Sequence, residues 1–122
     1  MIDLDRFKEI NDHFGHPRGD AVLTRFARLI SDHVRSTDSF ARWGGEEFML
    51  LTPDTDEHAA KALAEKLRCL IHDTAFPQVA HVTASFGVAS LAPDSTPQQS
   101  VHLVDQRLYA AKQQGRDRVV GN

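Results

Sequence analysis

Two acidic segments of the sequence could bind a divalent cation together. Asp3 and Asp5 flank Leu4 near the start of the chain, and Glu46 and Glu47 follow a pair of glycines further along. Carboxylates that converge on one point repel one another unless a cation lies between them. Their hard oxygen atoms suit Mg²⁺ or Mn²⁺. The sequence therefore predicts a divalent-metal site, provided that the fold brings the two segments together.

The two glycines before the acidic pair indicate a turn that could lie close to a ligand. Gly44 and Gly45 lack a Cβ atom, so their backbone can approach a bound molecule closely and can adopt positive φ angles. Paired glycines between two apolar runs are also typical of an ordinary β-hairpin, and carboxylates near strand ends are usually solvated. Each segment by itself therefore leaves both interpretations open.

The hydrophobic pattern predicts the elements that position these segments. Apolar runs bounded by turn residues predict five short strands, over residues 1–5, 39–43, 48–52, 79–90 and 118–120. Apolar residues at helical spacing predict four helices, over residues 7–14, 20–34, 59–71 and 101–114. The order β-α-α-β-β-α-β-α-β predicts an α/β (α+β) fold, in which helices flank a central mixed, mainly antiparallel sheet.

The same pattern gives finer expectations. Gly15 should end the first helix, and Asp20 should cap the N-terminus of the second. Residues 79–90 alternate as a half-buried strand does. Trp43 and Phe48 should pack in the core on either side of the glycine hairpin.

Composition limits the class of function. A chain of 122 residues with 41% hydrophobic content is typical of one globular domain. Its net charge of −3 argues against a general nucleic-acid binder, which would be strongly basic. Cys69 is the single cysteine and cannot form an internal disulfide, which favours a reducing compartment. The sequence has no leader pattern and no membrane-spanning run. We therefore expect a cytoplasmic segment without membrane contact, whose parent protein can be larger or membrane-anchored.

Four motifs together resemble those of the GGDEF family of diguanylate cyclases. Residues 42–48 resemble its signature loop in the GGEEF form, and residues 3–12 resemble its D-x-D-x-F-K-x-I-N-D segment. Residues 15–20 match G-H-x-x-G-D, and residues 111–116 match A-K-x-x-G-R. The resemblance implies a palm-like or nucleotidyl-cyclase-like fold and an enzyme that joins two GTP molecules into cyclic di-GMP. We expect residues 1–122 to form one such domain, without its N-terminal helix and the start of its first strand.

The resemblance also implies metal-binding and catalytic residues. Asp3, Glu46, Glu47 and the backbone carbonyl of Leu4 match positions that hold two Mg²⁺ or Mn²⁺ ions per active site. Glu46 is in addition the candidate general base, and Glu47 and Lys8 belong to the same catalytic group. Without the family context, Asp3 would be an ordinary solvated charge near a chain end.

Nine residues match positions that bind the substrate: Phe7, Lys8, Asn11, His16, Asp20, Gly44, Gly45, Lys112 and Arg116. The resemblance implies that Asn11 and Asp20 recognise guanine, because a carboxylate can accept from N1–H and the 2-amino group. It also implies that Lys8, Lys112 and Arg116 hold the triphosphate as cations, aided by backbone amides at the start of the first helix. Taken singly, these residues would be surface cations, a helix-surface Asn, an N-cap Asp and a structural loop His.

A second site follows from residues 35–38. Arg35 and Asp38 match the R-x-x-D motif through which the family binds its product, cyclic di-GMP, and is inhibited by it. Lys66 stands near the position where the family often supplies a further arginine. The alternative is a cation at a helix C-terminus, favourable to the helix dipole, followed by a turn residue.

Three classes of function remain open from the sequence. The first is an active cyclase that works as a homodimer, because one domain holds one GTP and two must face each other. The second is a non-enzymatic receptor for GTP or cyclic di-GMP that regulates a partner. The third is a general α/β interaction domain with accidental motif matches. The intact residues 44–48 favour the first class.

Overall fold

The computed structural model describes residues 1–76, 78–79 and 81–122. Its elements follow the predicted order, β-α-α-β-β-α-β-α-β. The strands are β1 (Ile2–Leu4), β2 (Ser39–Gly44), β3 (Glu47–Leu51), β4 (Ala84–Gly87) and β5 (Val119–Val120). The helices are α1 (Phe7–Phe14), α2 (His16–Ser31), α3 (Glu57–Asp73) and α4 (Pro97–Gln113). None of the helices in these residues is long and apolar enough to cross a membrane.

The strands form one sheet in the order β2-β3-β1-β4-β5. β1 pairs antiparallel with β3 on one side and with β4 on the other, and β2 pairs antiparallel with β3. The pairing of β4 with β5 is parallel. The prediction of a mixed, mainly antiparallel sheet is therefore confirmed, and the first strand of the chain lies at its centre.

Successive side chains of β1 point to opposite faces of the sheet, with apolar residues on the core face and Asp3 on the other. Ile2 and Leu4 are buried in the hydrophobic core with side chains of α2 and α3. Phe26 of α2 is fully buried there, with its ring centroid 5.2 Å from that of Phe48 on β3. Because successive side chains of a strand point to opposite faces, Asp3 points away from this core, toward α4.

Helix α4 packs directly on β4 at Gly87. A Cβ atom at this position would lie 2.3 Å from the carbonyl oxygen of Val104 and 2.5 Å from the amide nitrogen of Leu108. Only glycine permits so close an approach of a helix backbone to a strand. This contact holds α4, and the cationic side chains at its C-terminal end, against the face of the sheet that carries Asp3.

One expectation about local structure is wrong. Asp20 does not cap α2, because that helix begins at His16, and Asp20 is an exposed residue inside it. Gly15 ends α1 as expected and is also the N-cap of α2, with φ of 89°, so the two helices follow each other without a loop. Proline near a helix start is favourable, and Pro17 lies in the first turn of α2.

Two further expectations about strands need correction. Trp43 is 55% exposed instead of buried, because it lies at the irregularity between Arg42 and Gly44 in the pairing of β2 with β3. Phe48 is buried as expected. The strand expected over 79–90 is limited to Ala84–Gly87, and all four of its residues are buried; Ala80 lies outside the described residues. The half-buried alternation fails because the core covers one face of β4 and α4 covers the other.

Candidate active site

The fold brings the two acidic segments together at the centre of the sheet. In the pairing of β1 with β3, Asp3 lies directly opposite Glu47. The amide of Leu4 donates a hydrogen bond of 3.3 Å to the carbonyl oxygen of Glu46. Glu46 and Glu47 are both half-buried. Three carboxylates from two segments that are far apart in sequence therefore share one small region of the α4 side of the sheet.

Asp3 is the most unusual group in this region. It is 1% exposed, its Oδ2 accepts a hydrogen bond from Lys112 Nζ, and its Oδ1 is buried without a hydrogen-bond partner among the described residues. Burial raises the pKa of the Asp3 carboxyl to about 6. The hydrogen bond and charge of Lys112 act in the opposite direction, and the charges of Glu46 and Glu47 raise the pKa further. The site thus concentrates negative charge where water is excluded.

This donor set fits a divalent cation that also binds substrate. In the described part of the chain no three His, Cys, Asp or Glu side chains form a cluster that could hold a metal ion by themselves. Mg²⁺ does not require such a cluster, because it is usually held by one or two carboxylates together with water and substrate phosphates. The unpaired Oδ1 of Asp3, close to Glu46, is a donor of the required kind.

The glycine turn beside the carboxylates is open to a ligand. Gly44 is the last residue of β2, and Gly45 has φ of 52°. A Cβ atom placed on either glycine would meet no heavy atom of the described residues within 4 Å, apart from its own chain neighbours. Arg42 Nε donates a hydrogen bond of 2.7 Å to the carbonyl oxygen of Gly45. The turn is therefore held in place by its own strand while the space over the glycines is free.

Helices α1 and α2 form a second polar region. Gly19 lies so close to Asn11 that a Cβ atom would be 1.8 Å from Asn11 Oδ1, and this oxygen is buried without a partner among the described residues. Asp20 follows Gly19 and is exposed, and His16 is exposed at the start of α2. The structure thus brings Asn11 into contact with Gly19, the residue before Asp20. His16 makes no side-chain hydrogen bond in the described residues.

The remaining cationic and backbone donors lie at two helix ends. Phe7 is buried and begins α1, Lys8 is exposed, and no side chain caps this helix end. Lys112 is in the last turn of α4 and pairs with Asp3. Arg116 follows α4 in a turn where its φ is 66°. Of the predicted phosphate-binding cations, the structure brings Lys112 directly to the acidic group.

Arg35 and Asp38 form a compact pair away from the carboxylates. The amide of Arg35 donates to Asp38 Oδ2 at 2.8 Å, and its guanidinium donates to Asp38 Oδ1, the Pro53 carbonyl and Thr55 Oγ1. Burial raises the pKa of the Asp38 carboxyl, but the two donors of Arg35 outweigh this and leave the pKa below its ordinary value. Lys66 is exposed on α3 and makes no hydrogen bond or ion pair with this pair in the described residues.

One buried residue of the site, Asp5, received no role of its own from the sequence beyond belonging to the first acidic segment. Asp5 is 6% exposed and accepts hydrogen bonds from Thr83 Oγ1 (2.7 Å), Ser85 Oγ (2.7 Å) and the amide of Asp117 (2.9 Å). The signal for Asp5 was available, because strand alternation places it on the same side as Asp3. Its partners come from distant segments that no local pattern connects to it.

Comparisons with known proteins identify the family of the chain. The family model described as "Diguanylate cyclase, GGDEF domain" matches residues 1–118. The chain is 42% identical over 120 residues to "Diguanylate cyclase DgcM" of Escherichia coli K12, which covers 98% of this chain and 29% of that protein. It is also 42% identical over 128 residues to "Response regulator PleD" of Caulobacter vibrioides, covering 99% of this chain and 28% of the relative. The chain therefore spans less than a third of the length of these curated relatives.

Solved structures of similar proteins have the same fold. The active GGEEF domain of a diguanylate cyclase from Vibrio cholerae superposes with a TM-score of 0.91 at 38% identity, covering 98% of this chain and 78% of that one. The GGDEF domain of DgcB from Caulobacter crescentus, in complex with c-di-GMP, superposes with a TM-score of 0.92 at 29% identity, covering 98% and 74%. By the family match, the sequence identities and the shared fold, the chain belongs to the GGDEF family of diguanylate cyclases.

Proposed function

We propose that this chain is the catalytic domain of a diguanylate cyclase, which condenses two GTP molecules into cyclic di-GMP and two pyrophosphates. The observation that carries the proposal is the buried Asp3 carboxylate, which lies opposite Glu47 beside the open Gly-Gly turn and whose Oδ1 has no hydrogen-bond partner among the described residues. A relative 42% identical to the chain is named a diguanylate cyclase, which supports the same activity.

The reaction needs one kind of bond change, carried out twice. The 3′-oxygen of one GTP forms a bond to the α-phosphorus of the other, and the bond from that phosphorus to the bridging oxygen of the β-phosphate breaks. Pyrophosphate leaves with the bridging oxygen. The carboxylate of Glu46 accepts the proton of the attacking hydroxyl as general base, and the second such step closes the ring.

Asp3, Glu46, Glu47 and the Leu4 carbonyl are the proposed ligands of two Mg²⁺ ions. Bound there, the ions would lower the pKa of the attacking hydroxyl and offset the charge on the transferring phosphate. The charge balance of the residues supports this assignment. Among the described residues, the carboxylates of Asp3, Glu46 and Glu47 lie near the ammonium of Lys112 and near the Met1 amino group, whose pKa burial lowers to about 6. At neutral pH the region therefore has an excess of negative charge that a cation would offset.

Substrate recognition is assigned to the two helical regions. Asp20 would accept from N1–H and the 2-amino group of guanine, and the side-chain amide of Asn11 would donate to an acceptor on the base. Lys8, Lys112 and Arg116 would hold the triphosphate, with the uncapped amides of Phe7 and Lys8 as further donors. Gly44, Gly45 and His16 would adjoin the nucleoside.

The proposal requires two copies of the domain and a supply of GTP. One copy holds one GTP, so the 3′-hydroxyl and the α-phosphate that react come from two copies that face each other as a homodimer. A cytoplasmic site of action follows from the substrate. Arg35 and Asp38, with Lys66, are proposed to bind the product and to inhibit the enzyme; the complex of the relative DgcB with c-di-GMP supports recognition of this ligand by the family.

Product analysis tests the proposal. The purified protein is incubated with GTP and Mg²⁺ beside Glu46→Ala and beside Asp94→Ala, which removes an exposed carboxylate in the loop before α4. We expect cyclic di-GMP from the wild type and from Asp94→Ala but not from Glu46→Ala. Binding of cyclic di-GMP without product formation would favour a receptor instead, and absence of both would remove the nucleotide assignment altogether.

A further inference from the structure

The turn between α4 and β5 has an unusual backbone. Gly115, Arg116 and Asp117 have φ angles of 121°, 66° and 46°. We call these three residues the left-handed turn. Residues with a Cβ atom adopt this region rarely and persist there only where surrounding groups hold them, most often at functional sites. Arg116 and Asp117 both carry a side chain, so groups outside the turn must hold it.

The first such group is Asp5, immediately after β1. Its Oδ2 accepts the amide of Asp117 at 2.9 Å. Its carboxylate is itself fixed by the hydroxyls of Thr83 and Ser85, each at 2.7 Å, on the segment that includes β4. A buried carboxylate with three donors has little freedom to move. Asp5 therefore fixes the backbone of the turn at Asp117.

The second group is Arg68 on α3. Its Nη1 donates to Asp117 Oδ1 at 2.8 Å, and Glu65 holds the same guanidinium through Nε at 3.1 Å. The Arg68 side chain is 19% exposed, so solvent screens this pair less than a surface ion pair. Asp117 is therefore held at its amide by Asp5 and at its carboxylate by Arg68.

Arg116 lies in the middle of the left-handed turn, with its backbone fixed by hydrogen bonds. Its amide donates to the Ala111 carbonyl at 3.0 Å, and its carbonyl accepts from Arg118 Nε at 3.0 Å. Its guanidinium forms no hydrogen bond or ion pair with any of the described residues. The backbone of Arg116 is thus fixed while all five of its side-chain donors stay available, four residues after Lys112.

We infer that Asp5 and Arg68 are positioning residues, which fix the left-handed turn so that Arg116 is ready for the triphosphate of the substrate. The inference deepens the proposed function and rests on it for the identity of that substrate. Asp5 lies two residues after Asp3, so one short segment both carries a proposed metal ligand and orients a phosphate-binding arginine. Fixing a donor before the ligand arrives reduces the entropy that binding must overcome.

A double-mutant cycle tests this role. Asp5→Ala and Arg68→Ala are each made with Arg116 intact and with Arg116→Ala. Binding of GTP is measured by calorimetry with Mg²⁺ and a GTP analogue whose α,β-bridging oxygen is replaced by methylene, which cannot react. With Arg116 intact, each variant should raise the Kd about fivefold, and in the Arg116→Ala background it should change the Kd by less than about twofold.

Two further variants separate positioning from general stability. Arg107→Ala removes an arginine with the same 19% exposure, paired with Glu57 at 2.7 Å away from the turn, and should leave the Kd within about twofold. Asp5→Asn should stay within about threefold of the wild type, because the amide oxygen can still accept from Asp117 while the hydroxyl of Ser85 rotates to accept.

The outcomes distinguish this inference from the proposed function. Equal losses of affinity with and without Arg116, or no loss with Arg116 intact, would overturn the positioning role. If the wild type binds the analogue and the losses of affinity occur only with Arg116 intact, but no product forms from GTP, the cyclase activity would be removed and the positioning role would stay supported. Failure of the wild type to bind the analogue would remove both. Should Asp5→Ala not fold, Arg68→Ala at the partly exposed α3 surface decides the question by itself.

Discussion

Lys112 on α4 forms an ion pair with Asp3 on β1, across 109 residues of sequence. Two features of the backbone make the contact possible. The alternation of β1 directs Asp3 away from the core, and Gly87 lets α4 lie directly on the sheet. The pair places the Lys112 ammonium beside a carboxylate that is otherwise buried among like charges. Removal of this ammonium should therefore lower both the stability of the domain and its affinity for substrate.

Lys112→Met should lower the free energy of unfolding by about 2 kcal/mol at neutral pH. Breaking a fully buried ion pair costs about 3–5 kcal/mol; the cost is smaller here because the Lys112 side chain is 31% exposed. Urea unfolding in the absence of metal measures the change. Lys61→Met is the control, because in the described residues the Lys61 ammonium donates one hydrogen bond, to the carbonyl of Asn122. Equal stability of the two variants would contradict a structural role for the pair.

Gly19→Ala should displace the Asn11 side chain. The new Cβ atom would lie 1.8 Å from Asn11 Oδ1 and 3.2 Å from the ring of Phe7, so Asn11 must move out of its place. We expect GTP affinity to fall about tenfold and stability by roughly 1–3 kcal/mol, as for overpacked sites. Gly121→Ala is the matched control, because its Cβ atom meets the flexible side chain of Lys61. Unchanged GTP binding by Gly19→Ala would argue against a role for Asn11 in base recognition.

Arg35→Ala should weaken inhibition by cyclic di-GMP. The guanidinium of Arg35 lies against Asp38, Pro53 and Thr55, and the substitution removes the donors of the proposed product site. Loss of charge-assisted hydrogen bonds of about 1.5–3 kcal/mol corresponds to an increase of roughly tenfold or more in the inhibitory concentration. Initial rates at increasing product concentration measure it, with Ser36→Ala as the control in the same exposed segment. An inhibition curve identical to that of the wild type would remove Arg35 from the inhibitory site.

The ion pair of Glu57 with Arg107 should contribute stability that acid removes. Burial raises the pKa of Glu57, but the hydrogen bonds from Arg107 and the Ser90 amide outweigh it and leave the pKa below 4.5. A group whose pKa is lowered by folding stabilises the native state above its unfolded pKa, and this contribution disappears as the pH falls through the folded pKa. The stability difference between the wild type and Arg107→Ala, about 1 kcal/mol at pH 7, should therefore shrink as the pH falls below the ordinary Glu pKa of 4.5. Urea unfolding at pH 7, 5 and 3.5 measures it, and a difference that grows in acid would refute the assignment.

Much of the fold could be predicted from local patterns, because the spacing of apolar residues within each segment indicates whether it forms a helix or a strand. The nine-element order and the sheet type are examples. Trp43 was assigned to the core because a tryptophan beside a strand usually packs there, but the irregularity in the pairing of β2 with β3 leaves it in solvent. Asp20 has the residue type of an N-cap, but Gly15 and Pro17 start α2 one turn earlier.

The candidate site was predictable only where a motif is continuous in sequence. Asp3 and the glycine turn belong to such motifs, so the resemblance identified them. The environment that changes the chemistry of Asp3 comes from α4, and no periodic pattern connects Lys112 to it. The contacts of Asp5 could not be predicted for the same reason, since its three donors lie 78, 80 and 112 residues away.

The central position of β1 has a consequence for the order in which the domain is made. β1 precedes both of its partner strands in the chain. It can pair only after β3, in the middle of the described sequence, and β4, in its last third, have been synthesised. Contacts this distant slow folding. During synthesis at about 5–20 residues per second, Asp3 meets Lys112, and Asp5 meets Asp117, only after α4 and the left-handed turn have left the ribosome. On this basis the site of a nascent domain is completed only when the elements of the domain that are made last, α4 and the left-handed turn, are available.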